Sequence, residues 1–141
     1  MKKLYSFVML LMMAKVALAQ DITQGTWYNQ EKTAKIQFFK QGDKFFGKVV
    51  WLKEPNENGK PRTDKENPDA KLKTRPILGL VNLKNFVQDG KGAWVDGEVY
   101  DPKNGKTYSC KMSLVSPVKL DIRGYIGISL IGRTEHFTKA D

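Results

Sequence analysis

The 141-residue chain predicts an all-β fold: a single up-and-down antiparallel barrel of about eight strands, closed on itself, with one long loop. Three observations predict it. Apolar and polar residues alternate at period two in one short run after another. Clusters of Gly, Asn, Asp and Pro separate the runs. Beyond residue 20, no stretch has helical spacing with caps. Closure is preferred because it removes the edges that an open sheet offers to aggregation. A two-sheet sandwich is the alternative packing of the same strands.

Residues 1–19 are set apart from the fold. Lys2 and Lys3, an apolar run from Leu4 to Ala14 and the small-residue pattern Ala17-Leu18-Ala19 read as a secretory signal peptide, with cleavage before Gln20. Lys15, late in the apolar stretch, is atypical. The run is too short to cross a bilayer of roughly 30 Å as a helix, and Gln20 stands where a lipoprotein needs Cys. The expected location is therefore periplasmic or secreted, and the expected barrel domain is residues 20–141. That domain has one cysteine, Cys110, so no internal disulfide holds it. Cys110 shares a strand face with Tyr108, Met112 and Leu114, and no base accompanies it, which reads as a core position rather than a nucleophile.

In chain order the expected strands cover 26–29, 34–39, 45–52, 77–83, 93–100, 108–114, 118–123 and 128–137. Gln41-Gly42-Asp43, Gln88-Asp89-Gly90-Lys91-Gly92, Asp101-Pro102-Lys103-Asn104-Gly105 and Ser116-Pro117 supply hairpin turns, so consecutive strands are expected to pair antiparallel. Residues 53–76 break the rhythm. They hold four of the six prolines and little apolar content. A loop of that length in a small domain is either functional or poorly ordered, and a lid over one barrel mouth is the sharper reading.

The blocks Gly25-Thr26-Trp27-Tyr28, Gly47-Lys48-Val49-Val50-Trp51-Leu52, Asp64 with Asn67-Pro68-Asp69, and Arg75-Pro76-Ile77-Leu78-Gly79 resemble the bacterial family named domain of unknown function 2147 (DUF2147). Trp94 to Gly97, Val99-Tyr100-Asp101-Pro102, Gly105-Lys106-Thr107-Tyr108, Leu120 with Arg123-Gly124-Tyr125, and Gly132-Arg133-Thr134 continue the pattern in order. Phe137, where the family usually has Trp, and Cys110, usually a small residue, depart from it. The resemblance implies an exported bacterial protein with a lipocalin-like or fatty-acid-binding-like barrel, and no established reaction. Gly25-x-Trp27 also resembles the opening strand of lipocalins, in which an Arg from the last strand lies across the Trp at the closed end. Arg133 is the matching candidate and Arg123 its alternate.

The candidate ligand site combines Trp51, Asp64, Asn67, Arg75, Trp94, Tyr100, Asp101 and Arg123. Aromatic rings offer flat apolar contacts, Arg a fork for carboxylate or phosphate, and Asp or Asn an orienting partner. Each residue also has a structural reading. Tyr100-Asp101-Pro102 starts a turn, Asp64 and Arg75 tie the loop by an ion pair, and the tryptophans fill the core.

Other chemistry is mostly excluded. Gly105-Lys106-Thr107 lacks the leading Gly of a phosphate loop, because Tyr100 stands there. His136 is the single His and has no Ser motif beside it, so neither a His-based metal site nor a Ser-His-Asp triad is expected. No cofactor is implied. Without Lys2, Lys3 and Lys15, 21 Lys+Arg face 15 Asp+Glu, a balance of +6 that favours anionic partners over nucleic acid in an exported protein. The reading is thus a barrel that binds a small, partly apolar ligand with an anionic group. The alternatives are an envelope interaction protein with a packed barrel and a contact loop, and an enzyme using the Asp and Arg set.

Overall fold

In the computed structural model, which describes residues 21–141, the alternating runs close into one antiparallel barrel. The signal-peptide reading of residues 1–19 lies outside the described residues. The strands are β1 (Trp27–Tyr28), β2 (Ala34–Gln41), β3 (Lys44–Leu52), β4 (Asn56–Glu57), β5 (Lys60–Pro61), β6 (Val81–Gln88), β7 (Ala93–Asp101), β8 (Lys106–Ser116), β9 (Lys119–Tyr125) and β10 (Gly132–Lys139). Eight of them form the wall in the order β1-β10-β9-β8-β7-β6-β3-β2, and β4-β5 is a small separate ribbon within the long loop. The seam is short: β1 has two residues, and Trp27 pairs with Ile36 on one side and Lys139 on the other. Asp141 reinforces it by accepting from the Thr26 backbone N–H at 2.8 Å and from its hydroxyl at 2.6 Å.

Period-two alternation puts Ile36, Phe38, Phe45, Val49, Leu83, Cys110, Met112, Leu120, Ile122 and Phe137 inside, where all are buried. Exposed Lys84 and Glu98 face each other across β6 and β7 on the outside. An apolar interior with a charged exterior is the reverse of a transmembrane barrel, and no helix among the described residues is long and apolar enough to cross a membrane.

Aromatic packing makes the two ends unequal. Trp27, Phe38, Phe45, Phe86, Trp94, Met112 and Leu120 crowd one half, and Ile22 seals it by accepting the Trp27 indole N–H at 3.0 Å. Phe45 and Trp94 meet edge to face at 6.0 Å. Phe86 fits because Gly97 lies under it: a Cβ at Gly97 would overlap the ring.

Three sequence expectations change here. The cation over Trp27 is Lys139, at 4.8 Å, not Arg133. Arg133 lies six positions earlier on β10, about 20 Å along the strand, opposite Gly124. The expected strand 77–83 begins instead at Val81, because Leu80 N–H bonds back to the Ile77 carbonyl and the apolar residues there form a turn packed against the core. The expected strand 128–137 begins at Gly132, because residues 126–131 form a turn with its own internal hydrogen bonds.

Candidate functional site

The half of the barrel away from the aromatic plug holds a cavity of about 990 Å³. Its apolar wall comes from inward positions on six strands: Ile36, Val49, Leu83, Val99, Ile122 and Phe137. Arg133 and Glu135 project into it from the same face of β10 that buries Phe137. Arg133 pairs with Gly124 across the β9–β10 ladder, and Gly124, Val99 and Tyr108 line the cavity with it. At the mouth the long loop contributes Glu57, Arg62, Lys65 and Glu66, and the β7–β8 hairpin contributes Asp101 and Lys103.

The loop is ordered by its own chemistry. Its first part folds back as the β4-β5 ribbon, Thr63 bridges Pro76, and Asp64 N–H bonds the Arg75 carbonyl at 2.9 Å. The Asp69 carboxylate accepts from Lys71 N–H to start a 3-10 turn over Ala70–Leu72. Asp64 is the anchor, with 0% of its surface exposed. One carboxylate oxygen accepts the Tyr100 hydroxyl at 2.6 Å, and the other accepts Asn67 Nδ2 at 2.9 Å and Arg75 Nε at 2.8 Å. The Arg75 guanidinium also lies 5.4 Å from the Tyr100 ring centre. Gly105 completes the contact, since a Cβ there would overlap the Glu66 carbonyl, so loop and hairpin touch backbone to side-chain-free backbone.

Burial by itself pushes the Asp64 carboxyl up, but the hydrogen bonds from Tyr100, Asn67 and Arg75 and the charge of Arg75 outweigh it and hold the group below the usual carboxylate range. The Tyr100 phenol is pushed up to about 12, by burial first and then by its bond to the Asp64 carboxylate and that charge. Burial likewise pushes the Cys110 thiol up to about 12, which leaves it protonated and inert.

Of the eight sequence-derived candidates, Asp64, Asn67, Arg75 and Tyr100 come together as this anchor. Tyr100 pairs with Thr107 at the rim, where it packs against the core and lines the cavity while its hydroxyl donates to Asp64; Asn67 and Arg75 do not line the cavity, and both donate to the same carboxylate. Asp101 is at the mouth, where its carboxylate accepts Lys103 N–H and shapes the hairpin turn. The other three lie away from the cavity. Trp94 belongs to the aromatic plug. Trp51 is outside, edge to face with Tyr28 at 6.1 Å and 5.1 Å beneath Lys35, because a bulge opposite Lys35/Ile36 inserts one residue between Val49 and Trp51 and reverses its side. Arg123 pairs with outward Thr134 and holds the 126–131 turn from outside, donating to the Ser129 carbonyl at 2.6 Å and to Thr134 Oγ1 at 2.9 Å.

The residues that alternation could have supplied are Arg133 and Glu135. Arg133-Thr134-Glu135-His136-Phe137 places two charges on the face of a core Phe, an arrangement a solid core would exclude.

With this geometry the comparisons agree. The profile of the family described as "Uncharacterized protein conserved in bacteria (DUF2147)" matches residues 25–139. The chain belongs to the DUF2147 family. Among solved structures it is similar to one described as "Protein HP1028 from the human pathogen Helicobacter pylori belongs to the lipocalin family", at 24% identity and TM-score 0.75, covering 86% of this chain and 84% of that one. At that identity the likeness concerns the fold: this DUF2147 chain is a lipocalin-like barrel. No curated protein matches it in sequence.

Proposed function

We propose that this DUF2147 protein binds one small amphipathic ligand in the open half of its barrel, with an anionic group at Arg133 and an apolar body against Ile36, Val49, Leu83, Val99, Ile122 and Phe137. The observation that carries this reading is the cavity itself: about 990 Å³, apolar on its wall, with Arg133 and Glu135 on its inner face. That volume is of the order that holds a single fatty-acid-sized or drug-sized molecule. Polarity within the cavity sets the orientation. Arg133 is nearer the mouth than Glu135, and the Glu135 carboxylate, opposite Ile122, disfavours a second anion deeper in. An acidic head therefore stays at Arg133 while the tail runs inward. Arg75 and Arg123, the anion readers expected from sequence, are engaged in holding the loop and the turn, so Arg133 takes that role.

The test is displacement of an anilinonaphthalene sulfonate probe by dodecanoate. Wild type is expected to bind both, and Arg133→Ala to raise the dodecanoate dissociation constant by about tenfold or more, the worth of one charge-assisted hydrogen bond. Equal affinities in wild type and Arg133→Ala remove Arg133 from the site.

The ligand is proposed to be met after export, on the strength of Lys2, Lys3, the apolar run and Ala17-Leu18-Ala19. Protein recovered from outside the cytoplasmic membrane should then begin at Gln20. Recovery with Met1 intact overturns the export reading and leaves the binding proposal standing.

A further inference from the structure

The charges that line the cavity fall into two groups. On the rim they settle one another: Arg62 pairs with Glu54 and Glu57, Lys65 with Glu57, and Lys103 with Glu31, at 2.8–3.7 Å. Asp101 is engaged in its own hairpin turn, and Lys53 and Glu66 are exposed to solvent. Arg133 and Glu135, on the inner face of β10, are left over. None of the six ion pairs among the described residues uses either side chain, and neither makes a hydrogen bond within the described chain.

Depth puts these two charges in a fixed order. Along this face of β10, Arg133 is exposed, Glu135 half-buried and Phe137 only 5% exposed. From mouth to floor the ligand space therefore meets a cation, then an anion, then apolar surface, with successive positions about 7 Å apart along the strand. Glu135 pairs with buried Ile122, and its charge is one of the causes that push the buried Cys110 thiol up, in keeping with a carboxylate on the inner side of the wall. An unpartnered charge on a mostly apolar wall costs the fold hydration and returns no contact to it. It can return one to a ligand.

Arg133 and Glu135 sum to zero charge, and a ligand that satisfies both sums to zero as well. A simple acid meets Arg133 but leaves Glu135 unpaired, with two like charges side by side. We propose that the cavity selects zwitterionic amphiphiles in which a cationic nitrogen lies between the tail and the acid, with the acid at Arg133, the nitrogen donating to Glu135 and the tail on the apolar floor. The proposal rests on the reading that an acidic head sits at Arg133, and it adds Glu135 as the residue that sets specificity. Amphiphiles with the opposite order of charges fit worse. With the tail inward, their anion lies next to the Glu135 carboxylate and their cation next to the Arg133 guanidinium.

The experiment displaces the anilinonaphthalene sulfonate probe with three ligands of one tail length, each below its micelle concentration: dodecanoate, N-dodecyl-β-alanine and dodecyl phosphoethanolamine. The last two are both net neutral, both carry N–H donors and both place two methylenes between their charged groups. In N-dodecyl-β-alanine the ammonium is next to the tail, and in dodecyl phosphoethanolamine the phosphate is. Wild type is expected to bind N-dodecyl-β-alanine about tenfold or more tighter than dodecyl phosphoethanolamine, the worth of one charge-assisted hydrogen bond. Glu135→Gln is expected to abolish that preference by weakening N-dodecyl-β-alanine about tenfold. The same variant should tighten dodecanoate by about threefold, because it removes a like charge about 7 Å from the bound acid in a wet cavity. Its unfolding midpoint is expected not to fall, since the carboxylate has no partner to lose.

Equal affinities of the two zwitterions in wild type overturn the proposal, and that comparison needs no variant. So does N-dodecyl-β-alanine affinity that Glu135→Gln leaves unchanged, or a lowered midpoint in that variant, which would make Glu135 a structural residue. Dodecanoate separates this proposal from the one it rests on. If dodecanoate binds through Arg133 while the zwitterions show no order, the acidic-head reading stands without the zwitterion. If none of the three displaces the probe, both fall.

Discussion

Asp64→Ala is expected to weaken closure of the 53–76 loop by about 3–5 kcal/mol, the usual cost of removing one partner from a buried ion pair. The size follows from what is left behind. The Tyr100 hydroxyl, the Asn67 amide and the Arg75 guanidinium all donate to that one fully buried carboxylate, and all three lose their acceptor together. Tyr100→Phe removes one donor and leaves the ion pair, so its effect should be smaller, about 0.5–1.5 kcal/mol. The barrel wall has its own ladders on either side of the loop, so the state reached is a detached loop on a folded barrel. Amide exchange at Asp64 and Ile77, whose N–H groups bond the Arg75 and Arg62 carbonyls, reads loop opening, while exchange at Met112 and Leu120 reads the barrel. Slow exchange at Asp64 in the Ala variant would show that the carboxylate is not the anchor.

The same cluster sets a pH window for the loop. Asp64 titrates lower in the folded state than unfolded, so its contribution is present above its unfolded value near 3.8 and is lost as pH falls through the depressed folded value. Tyr100 titrates higher when folded, so its contribution is complete below about 10 and is lost as pH rises toward about 12. Loop closure should be strongest between those limits, and Tyr100→Phe should flatten the alkaline side.

Most of the wall was legible in the sequence because it rests on period-two alternation and on turn residues, which act locally. Gln41-Gly42-Asp43 and Asp101 to Gly105 turn where they were expected to. The errors fall where one local irregularity overrides the period. Alternation from Val49 puts Trp51 inside, and a single inserted residue puts it outside. Ile126, Ile128, Leu130 and Ile131 look like strand material, yet Gly127 at φ +77° turns the chain and leaves all four exposed. The loop anchor was half legible: the tie between Asp64 and Arg75 was among the readings of those residues, but the arrival of Tyr100 from 36 positions away on β7 depends on barrel closure. Arg133 was read through a resemblance that set it over Trp27, and only the register, with Lys139 opposite Trp27, moves it to the cavity.

Gly124→Trp is expected to abolish dodecanoate binding, with at least a hundredfold loss of affinity, and to leave the fold intact. One row across the wall explains both halves of that expectation: Gly97 pairs with Cys110, Cys110 with Gly124, and Gly124 with Arg133. The two glycines of the row open onto different surroundings. At Gly97 the vacant side-chain volume belongs to Phe86, so Gly97→Ala forces the ring out of a packed end and should destabilise the protein by about 1–3 kcal/mol. At Gly124 a Cβ meets Val99 at 3.5 Å and Tyr108 at 3.7 Å, ordinary contacts, and beyond them lies the cavity. An indole there occupies the space beside the Arg133 guanidinium in which the acidic head is proposed to sit, and it buries apolar surface as it does so. Isothermal titration with dodecanoate and thermal unfolding of Gly124→Ala, Gly124→Trp and Gly97→Ala separate the possibilities. Wild-type affinity in Gly124→Trp would place the ligand outside the barrel. An unfolding midpoint that drops as far in Gly124→Trp as in Gly97→Ala would show that the row is packed along its whole length and has no room for a ligand.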